Sequence, residues 1–467
     1  MAKQIKNILL DKRVLRVPAG TEMTTRLLSG LIAKHKDLVA RIYKPLSDAY
    51  EGDYVIFHQA KKAPWKPDNR IAVNYARYIS DTFNGFFIGI PAKITSDSES
   101  EAVGEYAEFL GTYNNQEDND AEISKLSSNF GTAYEMYYTD EEGESGIAYL
   151  SPMEAFMVYD DSILSRPMFF VRYAKGADGV ERGSYSDASI VQHFENRGGV
   201  QFTDNPYEHH FDGVPATEFV NNAERMSIYE DSLSAINAFN KAISEKANDV
   251  EYFADAYLKI IGPKVNENDA KYIRTNRIIN LYDEQQAGTG MDMDADFLAK
   301  PDADTSQENL LNRLHQLIFQ LSMVINISDE SFGSASGIAL KYKLTAMYNL
   351  FRVKQRKFTA AMSRRYKLLF SSPIAQTHGV KPDDWMSVTV AFTPNFPQNT
   401  TEEADNVTKL DGIVSRETQL GLLSCIDSVQ SELDRIQEER DAEQKRADVY
   451  RDFAHAHEVK NDGKEQG

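Results

Sequence analysis

The sequence predicts an α+β chain, predominantly helical. Three observations carry that prediction. Apolar residues recur at helical spacing in two long segments, 227–261 and 305–367. Residues 131–220 are instead aromatic and strand-like, broken by turn signals. After Thr401 the chain is again helical and strongly acidic. With 467 residues, 42% of them hydrophobic, there is material for sizeable cores and for two to four compact parts.

The elements follow in order. Residues 1–60 read as an N-terminal arm, with Leu27, Leu28, Leu31, Ile32 and Leu38 marking a helix over 24–39 and Pro45 ending the next short segment. Pro64 and Pro67 mark a linker. Residues 70–82 read as a helix stopped at Asn84-Gly85, and 86–94 as a buried strand broken at Pro91. The acidic stretch 97–122 holds a helix over 101–110 and a polar loop over 114–120; 123–130 is helical. A hairpin joins 133–138 to 147–150 through Glu141–Gly146, and 156–159, 169–173 and 190–194 extend the same sheet.

A long helix is expected from Ser227 to Ile261, roughly 50 Å at 1.5 Å per residue. Ile236, Ile243, Val250 and Tyr257 fall seven apart on it, Asn248-Asp249 is a kink point, and Gly262-Pro263 ends it. A small α+β insertion fills 264–304, with a short helix at 268–274 and strands at 278–282 and 297–300. Next come a helix, a short loop and a second helix over 305–367. Thr305 and Glu308 form a capping box. Leu310, Leu314, Leu317, Leu321 and Val324 then alternate four and three apart, the seam of a helix packed nearly parallel to its neighbours. Leu311, Ile318 and Ile325 widen the stripe. A strand covers 387–392, and 460–467 are expected to be disordered.

Composition excludes some functions. The net charge of −20 argues against gripping nucleic-acid phosphates over the general surface. A single cysteine, Cys425, permits no intrachain disulfide. No signal-peptide core follows Met1, and no apolar run approaches the ~20 residues of a membrane span, so a soluble intracellular protein with no membrane partner is expected.

Catalytic motifs are lacking: there is no phosphate-binding Gly-rich loop ending in Lys-Ser/Thr and no His-Glu-x-x-His. Gly333–Gly337 has Ala335 where a nucleophile elbow needs serine, and reads as a helix-capping loop. Asp292, Asp294 and Asp296 alternate without completing a calcium loop, and read as a solvated acidic loop. His209-His210 reads as a surface pair, Asp160-Asp161 as a turn. No metal, cofactor or catalytic residue is assigned. One charge feature stands out: 331–382 holds no Asp or Glu but carries Lys341, Lys343, Arg352, Lys354, Arg356, Lys357, Arg364, Arg365, Lys367 and Lys381. Three readings compete for it, an acidic surface on an adjacent subunit, solvent, or DNA. The first is favoured, because 97–122 and 402–467 supply such surfaces, and it predicts salt-dependent association.

Four stretches, in order, resemble the portal proteins of long-tailed (siphovirus-type) bacteriophages of Gram-positive bacteria. They are 70–91 (Arg70-Ile71-Ala72-Val73-Asn74 through Gly89-Ile90-Pro91), 129–135 (Asn129-Phe130-Gly131-Thr132), 213–222 (Gly213-Val214-Pro215-Ala216), and 328–344 (Ser328-Asp329-Glu330-Ser331-Phe332-Gly333, then Ser336-Gly337-Ile338-Ala339-Leu340). The resemblance implies an elongated, non-enzymatic subunit in a ring of about twelve copies around a double-stranded DNA channel. It implies a virion component at the portal vertex, assembled in the host cytoplasm. Its expected partners are the terminase large subunit, a head–tail adaptor, and the major capsid and scaffolding proteins. The implied parts are an arm at 1–60, a wing at 61–226 containing the β-rich 131–220, and stem helices at 227–263 and 305–325. A clip at 264–304, a basic wing helix and strand at 336–400, and an acidic crown with tail at 401–467 complete it. The tunnel loop would be Asn326, Ile327, Ser328, Asp329, Glu330, Ser331, Phe332, Gly333, Ser334 and Ala335, acidic rather than basic. Two rivals stay open: a helical scaffold without a DNA channel, and a metal-dependent nucleic-acid-processing enzyme using Asp292 to Asp296.

Overall fold

The computed structural model describes residues 13–64, 66–97, 100–254, 258–261, 294–297, 304–327, 337–395, 400–423, 426 and 429–462. The chain divides into two compact units, Met1–Asn395 and Phe396–Gly467.

The first unit opens with β1 (Leu15–Val17) and α1 (Thr25–Leu38), the latter capped by Thr24, whose side chain accepts from the Leu27 N–H. A π-helical turn, Val39–Tyr43, leads into α2 (Lys44–Glu51), where Pro45 opens the helix rather than ending one. α3 (Tyr75–Ile88) begins later than its sequence suggests and runs through Asn84-Gly85 into the apolar run read as a strand. The strand is β2 (Lys93–Ser96). α4 (Glu101–Tyr113) and α5 (Gln116–Phe130) follow, so the expected polar loop is mostly helix.

The β region forms two sheets, not one. β3 (Thr132–Thr139) and β4 (Ser145–Leu150) make the expected hairpin. β5 (Ala155–Asp160), β6 (Pro167–Lys175), β7 (Glu181–Ser186), β8 (Ile190–Asn196), β9 (Val200–Phe202) and β10 (Tyr207–Glu208) belong to a separate, seven-stranded sheet. β1 completes it, pairing parallel to β5, so the N-terminal segment is built into the sheet. β11 (Ala216–Val220) closes the three-stranded sheet beside β3. The strands β5 and β6 are apolar on both faces because both are covered. Phe156, Val158, Phe169 and Val171 meet Leu28, Leu31 and Ile32 of α1. Ala155, Met157 and Phe170 meet Tyr134, Val214 and Ala216.

α6 (Leu233–Ala254) is a single helix without a break at Asn248, and it stops short of the expected end. Leu258–Ile261 is a strand, β12, paired antiparallel with β13 (Asp294–Phe297). The expected helix at 268–274, the strand at 278–282, and Asp292 lie outside the described residues; Asp294 and Asp296 fall in β13 rather than a loop. α7 (Asp304–Ser322) starts one residue before the expected cap and ends three before Ile325; Glu308 pairs with Lys246 instead of capping. α8 (Gly337–Ser371) is 35 residues long, followed by α9 (Pro373–Thr377) and β14 (Val388–Ala391). β14 pairs antiparallel with β2. The second unit is helical, α10 (Thr400–Lys409), α11 (Arg416–Leu420) and α12 (Val429–Asp462). α12 covers 460–462 of the expected tail; 463–467 lie outside the described residues. Among the described residues no helix is long and apolar enough to cross a membrane.

Candidate functional site

Helix α7 buries one of its two apolar lines and leaves the other outside. Ile318 is 0% exposed and Leu311 is also buried. The Leu310 line faces away: Leu310 is 52% and Leu321 46% exposed, with Leu314 and Leu317 half-buried between them. Val324 departs from this line and is buried, because the helix has already ended at Ser322. The inner side meets α6, where Gln307 donates to Asp249 at 2.7 Å beside the Lys246–Glu308 pair.

α6 is itself fixed by a ladder that its sequence does not announce. Asn240, Ser244 and Asn248 stand one turn apart and are all buried. They accept from the N–H groups of Val73 (2.8 Å), Ile71 (2.9 Å) and Asn69 (2.6 Å). Two extended residues advance about 6.6 Å and four helical residues about 6 Å, so the two periods match. This is why 70–74 is extended and α3 waits for the Asn74 cap.

The end of α7 is pinned. Met323 takes φ +58°, turning the chain. The Ile327 N–H donates to Tyr78 Oη at 3.0 Å, and Tyr78 Oη reaches Asn326 Oδ1 at 3.4 Å. His315 bridges Tyr75 Oη (2.8 Å) and Asn326 Nδ2 (3.3 Å). With Nδ2 donating, His315 Nε2 accepts, which places the ring proton on Nδ1 toward Tyr75. Phe319 meets the rings of Tyr75, Tyr78 and His315 edge-on. Of the expected tunnel loop, Asn326 and Ile327 are held in this way, while Ser328 through Ala335 lie outside the described residues.

The basic helix divides by depth. Arg352 and Arg356 are exposed and Lys357 half-buried; Lys343 is exposed, and the Lys341 side chain lies outside the described residues. Three others turn inward from a surface face, Lys354 and Arg365 buried and Arg364 half-buried. Lys354 is buried, donating to the Ser124 carbonyl (2.8 Å) and Ser128 Oγ (2.6 Å) under the rings of Phe83, Phe87 and Phe358. Burial holds its pKa well below the ordinary lysine value. Arg365 is 1% exposed and forks between Asp120 and Glu135, with Gln116 and Tyr137 donating to the same carboxylates. Burial alone would lower its pKa, but the pull of Asp120 and Glu135 keeps it above the usual arginine value. Arg364 donates to the carbonyls of Ala216 and Val214. The acidic partners of Arg365 come from β3 and α5, 230 and 245 residues away, which no local pattern signals.

Among the described residues no group of three or more His, Cys, Asp or Glu converges as a metal site. Asp160 ends β5, and its Oδ1 accepts from Ser162 and Arg166 across the turn that Asp161 begins. His209 is buried, bonded to the Asp187 carbonyl at 3.1 Å; only His210 of that pair is on the surface.

The family model for "Phage portal protein, SPP1 Gp6-like" matches residues 29–446. The portal protein of Clostridium phage phiCD119 is 22% identical over 411 residues, covering 83% of this chain and 88% of that one. A chain in the neck of an empty GTA particle, computed with C6 symmetry, aligns with a TM-score of 0.42 at 11% identity, over 74% of this chain and 89% of that one. With its family model spanning most of its length, the chain belongs to the SPP1 Gp6-like family of phage portal proteins.

Proposed function

We propose that this portal protein forms a ring around a DNA channel at one capsid vertex. In this reading the ring is the conduit for genome packaging and ejection and the docking site for the terminase large subunit and a head–tail adaptor. It assembles in the host cytoplasm with capsid and scaffolding proteins, and the packaging motor's chemistry lies elsewhere. The observation that carries the ring is the outer line of α7. Leu310, Leu314, Leu317 and Leu321 form an apolar stripe that the rest of the described chain does not cover, on a helix already packed on its other side. Such a stripe calls for another subunit. Electron microscopy of purified protein tests it: rings with a central hole are expected, and a preparation without them would sink the reading.

The segment after Ile327 is proposed as the tunnel loop. Its Asp329 and Glu330 would present a non-adhesive edge to passing phosphates. Replacing both by lysine (Asp329→Lys, Glu330→Lys) is expected to slow packaging while rings still form. Packaging at the unmodified rate would remove the loop from the channel.

A further inference from the structure

A cavity of about 760 Å³ opens between α4, the start of α5 and the β2–β14 pair, with Arg365 and Tyr366 behind it. That is within the size range of ligand clefts. Its floor holds an unmet acceptor. Gln116 is 6% exposed, and its side-chain nitrogen donates to Asp120 (3.0 Å) and Glu135 (3.2 Å). Those two carboxylates fix the amide's orientation, because its oxygen facing them would be repelled. The carbonyl Oε1 is therefore turned away from them, and it has no hydrogen-bond partner among the described residues. At the rim Glu108 and Glu117 are exposed and form no ion pair among the described residues.

The wall supplied by α4 includes Gly104, Ala107 and Gly111 beside Glu108 and Thr112. A glycine inside a helix is less favourable than alanine. A Cβ at Gly104 or Gly111 would meet nothing within 4 Å, so packing inside this chain does not require either glycine. Both are suited to close approach by something from outside.

The same chain carries a matching donor. Arg352 and Arg356, one turn apart on α8, are exposed and form no ion pair among the described residues. No Asp or Glu lies anywhere in α8 to offset them. Arg356 precedes Arg365 by nine residues, about two and a half turns. The pair thus points away from Arg365, although Tyr366, fourteen residues past Arg352, returns to nearly the same side of the helix about 21 Å further along it. Two unlike, complementary patches at different places on one subunit are what a head-to-tail ring contact needs.

We propose that the α4–α5 cavity is a socket for a second copy of this chain, receiving its Arg352–Arg356 pair. The guanidinium groups bind the Glu108 and Glu117 carboxylates, and a small shift of Gln116, whose Oε1 is closed to solvent in the isolated chain, opens that acceptor to an N–H at the floor. The proposal rests on the ring reading and names one contact within it.

Charge exchange in the full-length chain tests it, read by native mass spectrometry over a concentration series. Glu108→Arg with Glu117→Arg, and separately Arg352→Glu with Arg356→Glu, should each raise the concentration for half-maximal ring formation about tenfold or more. All four sites are exposed, so the monomer fold should survive. Combining the four substitutions should recover assembly. Gly111→Met should raise the monomer's melting temperature and yet weaken assembly, an opposition that a merely destabilised fold does not produce. Reversals that assemble like the unmodified chain, or a fourfold variant that fails to recover, would overturn the socket and leave the ring reading standing. Arg352→Glu/Arg356→Glu rings that form normally but retain less DNA would assign the pair to phosphate and likewise overturn it. An unmodified chain that never forms rings would overturn the ring reading and this contact together.

Discussion

Lys354 and Arg365 are two buried cations on one helix with opposite energetic signs. Lys354 has two hydrogen bonds and three aromatic rings, but no carboxylate partner among the described residues. Its pKa is depressed in the folded chain, so the unfolded chain binds the proton more readily. The cost is absent above the unfolded value and grows as pH falls from there toward the folded value. Lys354→Met retains most of the stem's volume and removes the titration. It should raise stability near neutral pH by about 1–3 kcal/mol and flatten the alkaline pH dependence. Urea unfolding near pH 7 and again near pH 10 measures both effects; a less stable variant at neutral pH would mean that the bonds to Ser124 and Ser128 outweigh desolvation. Arg365→Met should do the reverse. It strands Asp120 and Glu135 in the interior and should cost about 3–5 kcal/mol. Equal effects from the two substitutions would refute this division of the basic helix.

The joint between α5 and β3 shows how an element boundary is fixed. Gly131 takes φ +83°, its N–H donates to the Ser127 carbonyl at 2.8 Å, and a Cβ there would lie 2.0 Å from the Arg225 carbonyl. Gly131→Ala should therefore cost at least about 3 kcal/mol, combining left-handed strain with a backbone clash. A thermal melt unchanged by that substitution would show that the joint can shift. Gly131 was visible in the sequence as the point where helix gives way to strand, since local chemistry sets it. The β3–β4 hairpin and the apolar runs of β5 and β6 were legible for the same kind of reason. What was not legible depended on distant partners. Residues 70–74 look helical but are drawn out by Asn240, Ser244 and Asn248. Phe86–Ile88 is a short apolar run that suits strand or helix equally, and α3 settles it by continuing. Gln116 and Asp120 look like loop residues because their polarity serves Arg365, far along the chain. The same holds for the expected basic surface, three of whose cations turn inward.

At the scale of the whole molecule, α7 carries two apolar lines, and periodicity could find both without saying which one the chain would bury. The fold decides: Leu311 and Ile318 go inside, and the Leu310–Leu321 line is left facing out. In the proposed ring that line would be covered by a neighbouring subunit. The consequence separates folding from assembly. Leu310→Gln with Leu321→Gln removes two half-exposed side chains, so the unfolding midpoint of the isolated chain should move by no more than about 0.5 kcal/mol equivalent per site. In the proposed ring, formation should fall sharply, because each substitution places an amide in the interface and removes burial of the half of each leucine still exposed, about 0.8–1.5 kcal/mol. Sedimentation velocity alongside far-ultraviolet circular dichroism reads both quantities from one sample. Normal rings from this variant would show that α7 packs elsewhere, and would leave the socket between α4 and α5 to hold neighbouring subunits without it.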